Sequence, residues 1–352
     1  MDKKDNSIHK VKTVGILGAT GIIGELLTEL LRQRNFSVLR GSRSLKNGYG
    51  TQSVNIDDAV SVKKFVDQCN IVINCTGPSL LTSKKILPVI IEAEKDYIDA
   101  FGWTRDAKYL NQRKSRIILN SGSVPGILGV LIKNMWNEKS QKVKVWSGGR
   151  EMGSIGSIGD IILSSVNGYG KSNYYMEQAK VVKSIKPSIE LFDNADIFPD
   201  DISTQLVLTD EMEAVSQYLG IRDLWNYTIW ADKHMKQIMM TGCMEAVKLK
   251  KEEELKELFA TMLEKMRQLN GSKQTWFTIV IEVVGGNGKN ILRLDTDNSF
   301  KLTASMIAHM VDILLYQKIP RRTYWSFELA DPNEVLKFIQ KIGTSIDIYG
   351  EL

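Results

Sequence analysis

The first half of the chain alternates short apolar runs with helix-length segments. Six runs are apolar and mostly rich in β-branched residues, which is typical of strands buried between two layers of helices. These predicted strands span residues 13–17, 36–40, 71–75, 97–99, 116–119 and 143–146. Segments 22–34, 59–68 and 83–94 place apolar side chains at helical spacing. The alternation predicts a doubly wound parallel sheet wrapped by helices.

Beyond Trp146 the alternation stops, and residues 153–170 are rich in glycine and serine. Helices are predicted at 211–219, 246–269, 303–315 and 332–342, the last with Asp331 as N-cap and Pro332 at its first position. Runs 276–284 and 290–295, joined by a glycine-rich turn through Asn287, predict a β-hairpin. A chain of 352 residues exceeds the usual size of one hydrophobic core, so a second domain is expected, and its predicted helices and hairpin indicate an α+β fold.

A glycine motif lies at the first strand-to-helix turn, within residues 13–27 (TVGILGATGIIGELL). Gly18 allows the sharp turn, Gly21 lets the backbone approach a pyrophosphate, and Gly24 lets the helix pack on the strand. The N–H groups at the start of the helix are predicted to face the phosphates, which adds Thr20, Ile22 and Ile23 to the site. This order of strand, turn and helix predicts a dinucleotide-binding Rossmann domain over residues 1–147. The second domain is expected over residues 148–320, and the helix of the last segment, 321–352, is expected to return to the first domain.

The end of the second predicted strand favours NADP over NAD. An NAD site usually carries Asp or Glu there, and this chain instead has Arg40, Ser42, Arg43 and Ser44. Cations and hydroxyls suit a 2′-phosphate through charge-assisted hydrogen bonds. Alternatively, Arg40 faces solvent and Arg43 only stacks on the adenine.

Composition narrows the class of protein. The formal charge of +5 is small and the cations interleave with acids, so nucleic acid is not an expected partner. The chain has no apolar run of membrane-spanning length, and residues 1–10 are mostly polar or charged with no apolar segment behind them. We therefore expect a cytoplasmic protein without a membrane partner. Three widely spaced cysteines and three scattered histidines predict neither disulfides nor a metal site.

Three stretches resemble the saccharopine dehydrogenase-like reductases. They are residues 67–78 (DQCNIVINCTGP), 96–99 (DYID) and 120–127 (NSGSVPGI), which occur in the order of that family. The likeness covers about residues 12–135 well and continues weakly in the C-terminal part. It implies a small-molecule oxidoreductase.

The resemblance also implies positions for the cofactor. Thr76, Gly77 and Pro78 would lie along its nicotinamide half, and Pro125 and Gly126 would flank the nicotinamide. Asp57 or Asp58 matches an acidic position near the adenine, although a helix N-cap before Ala59 is an equal alternative. Trp103 stands where many relatives carry Glu, so an acid at that position is not transferred.

Two residues are candidates for catalysis. Asp99 ends a strand on the ligand side and is either an acid or substrate contact, or a structural cap. Arg150 follows two glycines at the domain junction and is either a clamp for a substrate carboxylate, or the partner of an acid inside the fold.

The predicted function is NADP-dependent reduction of a C=N bond in a small amino-acid-like or peptide-derived substrate. Alternatives are a ketone or enoyl reductase, or a non-catalytic NADP-binding regulatory protein. A homodimer is expected because relatives pair through the second domain and run 276–284 is apolar enough to need cover on both faces.

Overall fold

The first domain is built on a seven-stranded sheet in which every pair of neighbouring strands is parallel. The computed structural model describes residues 12–102, 105–185, 198–286 and 288–350. In spatial order the strands are β15 (Thr323–Trp325), β6 (Ile117–Leu119), β5 (Asp96–Asp99), β4 (Ile71–Asn74), β1 (Thr13–Leu17), β2 (Ser37–Ser42) and β3 (Thr51–Ser53). The chain reverses direction across the sheet between β1 and β4, so the loops after these strands border a crevice at its carboxyl edge.

The helices of this domain follow the apolar periodicity. They are α1 (Ile22–Gln33), α2 (Ala59–Val66), α3 (Ser79–Glu92), α4 (Ala107–Leu110) and α5 (Ile127–Met135). Helix α2 packs closely on the sheet because Gly15 on β1 and Gly41 on β2 leave room for the ring of Phe65: a Cβ on Gly15 would lie 2.8 Å from that ring, and one on Gly41 2.7 Å. The predicted Rossmann-type α/β domain is confirmed.

The second sheet has nine strands and mixed pairing. Its main path runs β10 (Lys180–Lys183), β9 (Tyr174–Glu177), β12 (Asp223–Trp230), β7 (Ser140–Arg150), β13 (Trp276–Gly285), β14 (Gly288–Thr296) and β16 (Ser345–Gly350), while β11 (Ser203–Thr209) joins β12 to β8 (Gly170–Ser172). The remaining helices are α6 (Ile155–Val166), α7 (Asp210–Leu219), α8 (Lys233–Ala246), α9 (Glu252–Asn270), α10 (Ser299–Tyr316), α11 (Ser326–Leu329) and α12 (Pro332–Gln340). The second, α+β domain is therefore also confirmed, and its β13–β14 hairpin matches the prediction except at Asn287, which lies outside the described residues.

The strand predicted at 143–146 belongs to this second sheet and not to the parallel one. It is part of β7, which pairs in parallel with β12 and antiparallel with β13, so that Trp146 lies between Tyr227 and Val280. A strand buried on both faces has the same apolar pattern in either sheet, and only its pairing partners distinguish the two. The chain thus enters the second sheet at Ser140, and it touches both sheets again at its end, through β15 and β16.

The helix predicted at 246–269 corresponds to α9 and begins later than expected, while α8, which ends where the predicted helix starts, was not predicted. Helix α8 ends at Ala246 and α9 begins at Glu252, with a lysine-rich turn between them. Val247 and Leu249 continue the apolar spacing through this turn, so the prediction placed the start of the helix too early. In contrast, α12 begins as predicted, because the Asp331 side chain accepts hydrogen bonds from the Asn333 and Glu334 amides.

Both faces of strand β13 are covered within one chain. Phe277, Ile279, Ile281 and Val283 join a core that includes α5 and α10, whereas Val280 packs into a core formed with α6, α8 and α9. The apolar character of this strand therefore no longer argues for a partner subunit, and the homodimer stays a prediction that rests on the resemblance alone. No helix in the described ranges is long and apolar enough to span a bilayer.

Candidate functional site

The glycine turn after β1 lies at the point where the strand order reverses. The amides of Gly18 and Ala19 donate to the carbonyl of Gly41 on β2, at 2.9 and 3.1 Å. Gly18 has a φ of +78°, and a Cβ there would lie 2.7 Å from the carbonyl of Cys75. A Cβ on Gly24 would overlap the Gly18 carbonyl oxygen. Gly18 and Gly24 are therefore required by the packing of the turn itself.

Gly21 differs from these two glycines because a side chain there would meet only one atom, and at a longer distance. The nearest atom to a Cβ on Gly21 is the Gly18 carbonyl oxygen at 3.3 Å, and Thr20, Gly21 and Ile22 are exposed. Gly21 is the N-cap of α1, and no side chain caps that helix. The amides of Ile22 and Ile23 have no intrahelical acceptor at this position, so the helix start can bind an anion.

A cluster of hydroxyls lies beside the turn, at the end of β2. The Thr20 and Ser42 hydroxyls are 2.8 Å apart, and those of Ser42 and Ser44 are 3.2 Å apart. Arg43 is exposed next to them, whereas Arg40 donates to the Ala19 carbonyl at 3.1 Å and so supports the turn. Strand β2 carries no carboxylate at its end. The cluster offers hydrogen-bond donors and one exposed cation.

Asp57 and Asp58 have different environments. Asp58 is the N-cap of α2 and accepts from the Val60 amide at 2.9 Å. Asp57 is bound by the Lys85 ammonium at 2.6 Å, and this hydrogen bond lowers the pKa of the Asp57 carboxyl. Lys85 also contacts Glu252 of α9 at 2.9 Å, so the ion pairs connect the two domains. No motif in the sequence indicated Lys85 or Glu252.

The loop after β4, Thr76-Gly77-Pro78, borders the other side of the crevice. Asn74 orients its first residue, because the Asn74 side-chain oxygen accepts from the Thr76 amide at 3.0 Å and from the Thr76 hydroxyl at 2.5 Å. Gly77 is exposed and Pro78 is buried. The structure thus brings this loop and the glycine turn together, as the resemblance implied.

Asp99 holds this loop from within the first domain. Only 1% of its surface is exposed. Its two oxygens accept hydrogen bonds from four side chains and one backbone amide. The donors are the Ser79 hydroxyl (3.1 Å) and Phe101 amide (3.1 Å) to Oδ1, and the Asn74 amide (2.9 Å), Ser83 hydroxyl (2.7 Å) and Tyr97 hydroxyl (2.5 Å) to Oδ2. Burial raises the pKa of Tyr97 well above its ordinary value, which keeps its hydroxyl a donor. This geometry supports the structural alternative for Asp99 over a contact with substrate.

Pro125 and Gly126 form a buried turn before α5. The Gly126 amide donates to Glu211 Oε1 at 2.7 Å, and the Gly129 amide donates to the same oxygen at 3.2 Å. Glu211 therefore caps α5 from α7. Burial raises the pKa of Glu211 to about 7. The sequence predicted a helix at this residue and gave no sign of its role.

Arg150 corrects the expectation of a substrate clamp. Its side chain is 1% exposed, and its Nε and Nη2 atoms both lie 3.1 Å from Asp200 Oδ2. The guanidinium also donates to Asn270 Oδ1 at 3.1 Å and to the Ala231 carbonyl at 3.3 Å. These are the contacts of an arginine paired with an acid inside the fold, with no free edge for a carboxylate. Trp103, the departure from the family pattern, lies outside the described residues.

Comparison with known proteins identifies the fold. No protein-family model and no curated protein sequence matches the chain. Among solved structures, the apo saccharopine dehydrogenase (L-Glu forming) from Saccharomyces cerevisiae matches with a TM-score of 0.64 and 12% identity, over 97% of this chain and 100% of that one. The NAD⁺ complex of WbmH from Bordetella bronchiseptica overlaps only 25% of this chain and 38% of its own, at 18% identity and a TM-score of 0.22. The chain therefore has the two-domain fold of saccharopine dehydrogenase.

Replacement of Arg150 by Lys tests its assignment as a buried structural pair. A single ammonium cannot reach Asp200, Asn270 and the Ala231 carbonyl together, so we expect a loss of about 2 kcal/mol in stability with cofactor affinity unchanged. Thermal melting and cofactor titration measure the two effects, with the exposed Arg222→Lys as control. Normal melting combined with impaired turnover would restore the clamp.

The buried Glu211 predicts a specific dependence of stability on pH. Its pKa is raised in the folded protein from an ordinary 4.5 to about 7, so its contribution to stability is fully present below about pH 4.5 and is lost as the pH rises through about 7. Glu211→Gln keeps an acceptor oxygen but cannot ionise. The melting temperature of Glu211→Gln should rise relative to that of the wild type as the pH increases across this range. The melting temperature of the exposed Glu138→Gln should not change relative to the wild type. A pH-independent difference would contradict the prediction.

Proposed function

We propose that this chain is an NADP-dependent oxidoreductase that reduces a C=N bond in a small amino-acid-like or peptide-derived substrate. The observation that carries the proposal is the open, uncapped start of α1 at Gly21, which lies at the crevice beside the hydroxyl cluster of β2. The fold shared with a saccharopine dehydrogenase supports the reaction class.

The first domain supplies the groups that would hold the adenosine half of the cofactor. The Ile22 and Ile23 amides would bind the pyrophosphate, with Gly21 permitting its close approach. Thr20, Ser42 and Arg43 would surround the 2′-phosphate, where hydroxyl donors and a guanidinium are favourable. NADPH, when bound, supplies a hydride, and the protein has to orient the groups around it.

At the other half of the crevice, the residues mainly position the loops. Asp99 fixes Asn74 and Ser79, and these fix Thr76 and the start of α3. The Gly126 amide is already bound to Glu211, so the Pro125-Gly126 turn would flank the nicotinamide through its shape and not as a donor. The chain thus offers the nicotinamide a rigid wall on each of these sides.

A second candidate function is a non-catalytic NADP-binding regulatory protein. It is favoured by one observation: Asp99 and Arg150, the two residues expected to act on a substrate, are both buried and fully engaged with protein groups. Loss of NADPH absorbance in the presence of a panel of cyclic and amino-acid-derived imines separates the two functions. Binding of NADPH without turnover of any imine, ketone or enoyl compound would favour the regulatory role.

Cofactor choice is the most direct test of the proposed site. We expect NADPH to bind more tightly than NADH, and Arg43→Glu to weaken NADPH about tenfold or more while changing NADH little, because only NADPH offers a 2′-phosphate. Fluorescence titration measures both affinities. Lys318→Glu, an equal charge change at an exposed site away from the crevice, serves as control. Tighter binding of NADH by the wild type would refute the NADP assignment.

The contrast between the glycines tests the pyrophosphate site. Gly21 has an extended backbone, φ −83° and ψ 168°, that valine adopts readily, so we expect Gly21→Val to fold normally and lose NADPH binding. Gly24→Val should instead lose the fold, since its side chain would overlap the Gly18 carbonyl. Melting curves and titrations decide the matter. A natively folded Gly21→Val with unchanged affinity would show that the motif is only a turn.

A further inference from the structure

Helix α6 of the second domain packs directly on the loop after β4. A Cβ on Gly77 would lie 2.7 Å from the Cα of Gly156, and a Cβ on Gly159 would overlap the ring of Pro78. Gly156, Gly159 and Asp160 lie on one face of α6, because positions three and four apart are neighbours on a helix. The two glycines thus bring the α6 backbone against Gly77 and Pro78 with no side chain between them.

Asp160 completes this face by capping a helix of the other domain. Its Oδ1 accepts from the Ser79 amide at 2.6 Å, and it also accepts from the Leu80 amide. These are the first amides of α3, whose N-cap, Pro78, has no side-chain acceptor to offer. Asp160 is the only capping group for this helix start in the described part of the chain, and it comes from the second domain.

Ser79 is therefore held by two aspartate side chains, one from each domain. Its hydroxyl donates to Asp99, which belongs to the first domain, while its amide donates to Asp160 of the second. The Gly102 amide in turn donates to the Ser79 hydroxyl at 2.8 Å. The position of the loop after β4 consequently depends on both domains, unlike the glycine turn and the hydroxyl cluster, whose contacts lie within the first domain.

We propose that Asp160 is a positioning residue for the nicotinamide half of the cofactor, through which the second domain sets the affinity for that half alone. The inference rests on the proposed function, since it takes the crevice to be the NADP site. Asp160 would act through the loop and not by a contact with the cofactor. It holds Gly77 and Pro78, which border the crevice, by anchoring the start of α3.

The test compares two probes of the full-length protein. NADPH occupies both halves of the crevice, whereas 2′,5′-ADP carries only the adenosine half with its 2′-phosphate. Asp160→Ala leaves the Ser79 and Leu80 amides without their acceptor, so we expect it to weaken NADPH about tenfold and to leave 2′,5′-ADP within about twofold of wild type. Asp160→Asn keeps an acceptor oxygen and should show a smaller loss in the same direction.

A matched control breaks a different contact between the domains. Glu252→Gln weakens the pair with Lys85 but does not touch the loop after β4, so its ratio of NADPH to 2′,5′-ADP affinity should equal that of the wild type. An unchanged ratio in both Asp160 variants would overturn the inference, as would an equal change of ratio in Glu252→Gln. Asp160→Asn provides the measurement if Asp160→Ala does not fold. If the wild type binds neither NADPH nor 2′,5′-ADP, both the proposed function and this inference are overturned.

Discussion

The buried carboxylate of Asp99 is the constraint around which the edge of the parallel sheet is organised. Removing a carboxylate from water is very costly unless its oxygens are hydrogen-bonded, and the five donors that surround this one in the described residues are all neutral. The hydrogen bonds to this carboxylate come from β4, β5 and the start of α3, so they fix the positions of these three elements relative to one another. The loop that borders the crevice therefore owes its shape to a group that does not itself face the crevice.

The two halves of the crevice differ in how far apart in sequence their contacts lie. The glycine turn and the hydroxyl cluster are formed by residues within about 30 positions of each other, and their chemistry is visible in the sequence because strand, turn and helix follow in order. The loop after β4 instead depends on Asp160, which lies about 80 residues further along the chain. An isolated aspartate inside a helix carries no signal of such a role.

The same distinction explains which expectations failed. Five strands and three helices of the first domain were predicted within a few residues, since apolar periodicity and glycine turns are local properties, whereas α5 and the late strand β15 were not predicted. Strand β7 was assigned to the wrong sheet because its burial pattern is identical in either, and pairing is a property of distant partners. The position of Arg150 after two glycines is compatible with a substrate clamp and with an ion pair inside the fold, and its partners Asp200, Ala231 and Asn270 could not be inferred from the sequence around it. Glu211 was missed for the same reason.

The return of the chain to the first sheet at β15 has a consequence for synthesis on the ribosome. Strand β6 pairs with β15 as its outer neighbour, so it remains an open edge until residues about 200 positions later have been translated. A nascent chain that has completed the glycine turn and its first six strands therefore still exposes unpaired backbone groups on β6, and its first domain becomes complete only after nearly all of the second has emerged. A chain that ended before residue 323 would leave that edge free to pair with another strand.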